Sequence, residues 1–183
     1  DLDAPHLEAL AEVEGLWAFA EEHFGRNINN TPDVWTVLRD TIYAGGESGN
    51  WESGLSLIDG LSFPAVACLS LPNPARGQIY GCWDGENRFI SRRTDQANAK
   101  TTMSFRINPN WPGRESQGFE VEITYLDQGN DAFNLIAPNG QKKIIHKQNS
   151  EGFVRKTYSF PETEGGNFKI NCRGDGDEII HFV

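Results

Sequence analysis

Apolar and polar residues alternate from Phe119 to Tyr125. Phe119, Val121, Ile123 and Tyr125 take one side, and Glu120, Glu122 and Thr124 take the other. A period of two marks a half-buried antiparallel strand. The run Asp127-Gln128-Gly129-Asn130-Asp131 breaks the pattern with turn residues, and Phe133 and Leu135 resume it, so Gly118 to Ile136 predicts a hairpin. The same reading applies elsewhere. Thr101 to Ile107 alternates through Met103, Phe105 and Ile107, and Phe168, Ile170 and Cys172 alternate with Lys169 and Asn171. Gln141 to His146, Phe153 to Phe160 and Glu178 to Val183 predict further strands, with turns at Pro161 to Asn167 and Arg173 to Asp177. Upstream, Val34 to Thr41, Phe63 to Leu71 and Gln78 to Trp83 are β-branched, aromatic or apolar runs bounded by turn residues. Leu55 to Leu61 fits more than one element. About eight to ten short strands at regular spacing predict a mainly β chain, an antiparallel β-sandwich or jelly roll.

The N-terminus has a different period. Leu7, Leu10, Trp17, Ala20 and Phe24 recur at helical spacing, with Glu8, Glu12, Glu14, Glu21 and Glu22 on the other face. Asp3 suits the N-cap, Pro5 the first turn and Gly25 the stop, so residues 4–24 predict an amphipathic helix. Such a helix either packs on its own domain or is the last helix of an upstream catalytic domain. The division is then 1–30 for helix and linker and 31–183 for the sandwich. Residues 44–54 and 108–118 read as Gly- and Asn-rich loops, around Trp51 and Trp111 respectively.

Composition narrows the class. The 183 residues are 38% apolar and 11% aromatic, which suits a packed core rather than disorder. No apolar run approaches the roughly 20 residues of a membrane span. The first residues lack the basic and apolar regions of a signal peptide; either a signal has been removed or the chain is a piece of a longer one, and the helix that starts almost at once favours the second. Residues 1–60 hold 12 acids and 2 bases, and residues 61–183 hold 14 of each, so the net charge of −10 belongs to the N-terminal third. An acidic chain without a basic stripe argues against nucleic acid and anionic membranes as partners. The three cysteines, Cys68, Cys82 and Cys172, lack the spacing of a zinc site. Cys68 and Cys82 flank a Pro-rich loop and form a disulfide if their strands are neighbours; otherwise they are buried thiols.

Residues 119–135, FEVEITYLDQGNDAFNL, and the ending DGDEIIHFV at 175–183 resemble the non-catalytic β-sandwich modules of bacterial glycoside hydrolases and related polysaccharide-degrading proteins. The segment TPDVWTVLRDT at 31–41 resembles the start of such a module after a catalytic barrel. The resemblance spans roughly residues 31–183. It implies a galactose-binding-like or jelly-roll domain that binds carbohydrate beside an upstream catalytic domain, outside the cell or on its surface.

Sugar recognition needs aromatic faces for pyranose C–H groups and planar polar groups for hydroxyls. Trp51 and Trp111 are the loop candidates, with Trp83 after a strand as a third; each of the three alternatively packs in the core. Arg88, Arg92 and Arg93 with Asp95 offer forks for a uronate or sulfate, or else form a solvated strand face. Lys142, Lys143 and Lys147 read as the guard of an edge strand. Asp127 and Asp131, or Asp175, Asp177 and Glu178, are oxygen donors suited to a structural calcium, or simply acidic turns. No nucleophile elbow, zinc-protease pair or phosphate loop occurs. Three functions stay open: an accessory module holding a polysaccharide, a β-jelly-roll lyase or hydrolase, and a structural domain bracing an upstream barrel.

Overall fold

Alternating residues fold as strands wherever one side of the strand can be buried, and the chain consists mostly of such segments. The structure, a computed structural model, describes residues 25–39, 49–66, 71–73, 78–80 and 91–183. The helix expected over 4–24, Trp83, Arg88, Cys68 and Cys82 lie outside the described residues. The strands are β1 (Trp35–Val37), β2 (Trp51–Ser53), β3 (Leu55–Ile58), β4 (Ala65–Val66), β5 (Leu71–Asn73), β6 (Gln78–Tyr80), β7 (Ser91–Arg93), β8 (Thr102–Ile107), β9 (Gln117–Leu126), β10 (Ala132–Ile136), β11 (Lys142–His146), β12 (Phe153–Glu164), β13 (Phe168–Asn171) and β14 (Ile179–Phe182).

They form two antiparallel sheets packed as a β-sandwich. The first runs β12-β9-β14-β1-β2, with β7 also paired to β14 and β4 to β7. The second runs β11-β10-β13-β8-β3, and β5 and β6 pair separately. Inward side chains of both sheets make one core. Phe105 stacks on its register partner Phe168 at 5.0 Å within one sheet, and Tyr125 meets Phe133 edge-on at 5.0 Å across the two. Burying a side chain of this kind stabilises by about 1.5–3 kcal/mol. Cys172 is a buried free thiol in this core. Among the described residues no helix is long and apolar enough to cross a membrane.

Four expectations change. Gly118 to Ile136 is not a hairpin: β9 pairs with β12 and β14, whereas β10 pairs with β11 and β13 in the other sheet. The Asp127–Asp131 turn carries the chain across the core instead of folding it back. Trp51 lies on strand β2 rather than in a loop. Within Phe63 to Leu71, the described strand before Leu71 is only Ala65–Val66. The turn expected from Pro161 is delayed, because β12 continues to Glu164 past a register shift after Phe160. Gly118 permits that irregularity: its φ is +82°, and a Cβ there would lie 3.0 Å from the Pro161 carbonyl oxygen.

Candidate functional site

Register fixes which side chains share the outer face of the seven-stranded sheet, since directly paired residues point the same way. Thr36 is fully buried, so its neighbours Trp35 and Val37 point outward. Val37 pairs with Trp51 and with Phe182, and Phe182 pairs with Thr124. Thr124, Glu122 and Glu120 pair in turn with Arg155, Thr157 and Ser159. One face therefore carries an aromatic row, Phe182, Trp35 and Trp51, on three adjacent strands, beside a polar row on β9 and β12. Three strands at the usual spacing place the ends of the aromatic row ~10 Å apart.

Trp35 and Phe182 stack at 6.3 Å with 20° between their planes. Trp51 is 61% exposed, and the Arg39 guanidinium covers its ring at 3.7 Å. In the polar row, Arg155 Nη2 lies 2.5 Å from Glu122 Oε1, and the Ser159 hydroxyl donates to Glu120 at 2.5 Å. Both contacts preset the direction of a carboxylate.

A groove of about 940 Å³ at this end of the sandwich is lined on the outer face by Trp35, Phe182, Glu120, Glu122 and Arg155, and also reaches the core residues Leu55, Ile107, Val121 and Phe168. Pro32, Asp33 and Val34, with Trp111, Gly113 and Ser116, contribute a wall. These loops are tied together, because the Trp111 indole N–H donates to the Thr31 carbonyl at 3.1 Å and Asn108 N–H donates to Gly54. Trp111 is half-buried against the core, so it contributes a wall and not a free platform.

The other candidates are placed as follows. Arg92 is 3% exposed; its Nη1 donates to the Phe63 carbonyl at 2.7 Å and its Nε to Asn50 at 2.9 Å. Its guanidinium is committed to the interior and stands apart from the groove. Asp95 is buried, exchanges both backbone bonds with Lys100 and accepts from Asn98, so it shapes a turn. Arg93 points outward near Asp177 at 4.0 Å, on β7, and does not line the groove.

Of the acids read as calcium donors, Asp127 accepts backbone N–H bonds from Gln148 at 2.7 Å and Ser150 at 3.1 Å. Burial pushes its carboxyl up, but these bonds outweigh that and leave it below its ordinary value. Asp177 accepts from the Thr94 hydroxyl and from the Gln96 backbone N–H, both at 3.0 Å. Asp131 and Asp175 do converge, with Glu178, their donor atoms within 4.8 Å of one another. A cation already sits there. Lys147 Nζ lies 2.8 Å from Asp131 and 2.9 Å from Glu178, with its side chain 3% exposed. Calcium takes roughly 6–8 oxygen ligands; a group of three carboxylates that holds an ammonium does not fit it. Lys142 and Lys143 are exposed on the edge strand β11, as expected, but Lys147 is this buried ion pair instead. Burial alone would lower its ammonium, yet the hydrogen bonds to Asp131 and Glu178 hold it above its ordinary value.

Sequence reasoning missed the polar row of Glu120, Glu122 and Arg155, although the outward parity of Glu120 and Glu122 was visible. No family model and no curated protein matches the chain.

Proposed function

We propose that the chain is a carbohydrate-binding β-sandwich module that holds a polysaccharide along the outer face of its seven-stranded sheet. The observation carrying this reading is one groove in which the Trp35–Phe182 stack stands beside carboxylates oriented by Arg155 and Ser159. Stacked rings offer apolar faces to pyranose C–H groups, and ionised carboxylates accept hydrogen bonds from hydroxyls. The resemblance of residues 119–135 and 175–183 to accessory modules supports the same reading. It extends the proposal to an extracellular or cell-surface setting and a catalytic domain acting on the same polymer.

Binding is preferred to cleavage on geometric grounds. A glycosidase sets two carboxylates on either side of the scissile bond. Glu120 and Glu122 stand two positions apart on one side of one strand, each engaged by a neighbour on β12. The test is affinity electrophoresis in gels containing different polysaccharides. Retardation by at least one polymer, lost in Trp35→Ala, is the expected result; no retardation on a broad panel would sink the proposal.

A further inference from the structure

The charges along the groove select among glycans. Glu120, Glu122 and Asp33 line it, and Arg155 is the one lysine or arginine among its described lining residues. That guanidinium is already paired with Glu122. Of the arginines read as suited to a uronate or sulfate, the two among the described residues are elsewhere: Arg92 is buried on Phe63 and Asn50, and Arg93 lies beside Asp177. We infer that the groove takes a hydroxyl-rich glycan carrying no carboxylate or sulfate and excludes polyuronates and sulfated polymers. This rests on the reading of the face as a glycan site, and it adds the class of ligand.

The physical reason is twofold. An ionised carboxylate only accepts hydrogen bonds, so Glu120 and Glu122 complement hydroxyl donors and offer nothing to a second carboxylate. A polyanion also meets like charge at close range, in a groove whose one described guanidinium is paired with Glu122. Exclusion of this kind is electrostatic and weakens with salt, whereas neutral-glycan binding through stacking and hydroxyl contacts does not.

The experiment measures retention of the whole chain by a neutral β-glucan, a neutral xylan, polygalacturonate and a sulfated galactan, at low and high salt. The expected result is retention by a neutral polymer and, at low salt, affinity for either polyanion weaker by about 10-fold or more. The paired variant Glu120→Gln with Glu122→Gln keeps the side-chain shapes and frees Arg155. It should lose much of that discrimination and gain retention by polygalacturonate, with its thermal transition checked to confirm folding. Equal or tighter retention of a polyanion by the unaltered protein overturns the inference while leaving the glycan reading standing. So does undiminished discrimination in the folded double variant. Retention by no glycan overturns the glycan reading, and the inference falls with it.

Discussion

Trp35 and Phe182 are diagonal neighbours on adjacent antiparallel strands: Phe182 pairs with Val37, and its ring reaches across to stack on Trp35 at 6.3 Å. The stack links the last strand of the chain to the first described one and places both rings on the outer face. Trp35→Ala and Phe182→Ala should each weaken glycan retention by about 5–30-fold, the range for losing a central aromatic contact. Trp51→Ala, at the far edge of the row, should have a smaller effect on retention and change stability by no more than about 0.5 kcal/mol, its ring being exposed. Retention curves and denaturant midpoints for the three variants check this; a larger binding loss for Trp51→Ala than for Trp35→Ala would move the site to the sheet edge.

Arg92 holds the Phe63 carbonyl and the Asn50 side chain, and Asn50 in turn accepts from the Arg39 amide. Arg92→Met removes the charge and leaves both acceptors short of a donor. It should cost about 2–4 kcal/mol in urea unfolding. A folded Arg92→Met protein with unchanged stability but no glycan retention would restore Arg92 as a ligand residue.

Lys147 ties the end of β11 to Asp131, just before β10, and to Glu178, just before β14. Lys147→Ala leaves two acids facing each other without their cation and should destabilise by about 3–5 kcal/mol. Adding calcium to the unaltered protein should leave its thermal midpoint in place. A calcium-dependent rise would show that the ion displaces the ammonium.

Glu178 gives the fold a pH dependence. Burial pushes its carboxyl up from 4.5 to about 7, more than the Lys147 partner pulls it down. Between these values the folded chain keeps a proton that the unfolded chain has released. The unfolding free energy therefore falls as pH rises through that window, with a slope of at most about 1.4 kcal/mol per unit. Asp127 acts lower: its contribution is present above its ordinary 3.8 and lost as pH falls through its depressed folded value. Lys147 acts higher, its contribution being present below its ordinary 10.5 and lost only as pH rises through its raised folded value. The urea midpoint should decline from pH 5 to pH 7 in the unaltered protein, and Glu178→Gln should flatten that decline. A midpoint that climbs over this range would contradict the assignment.

The period-two pattern determined a great deal unaided. It located β8, β9, β10, β11 and β13 within a residue or two, and it named Val121, Ile123, Phe133 and Leu135 as inward, as the core shows. The sandwich class followed, because many short strands with one apolar side leave few other ways to bury them. Tertiary structure decided the partners. Alternation says which side of a strand is buried and nothing about what lies beside it. Tyr125 and Phe133 are equally buried as neighbours in a hairpin or as opponents across a core, and the chain takes the second arrangement. The same limit applies to charge. Arg92, Arg93 and Asp95 lie within four residues of sequence but face inward, outward and into a turn, whereas Lys147 and Glu178 meet across 31 positions of chain. The candidate site follows the same rule, since Phe182, Trp35, Glu122 and Arg155 share a face only through strand pairings between distant segments.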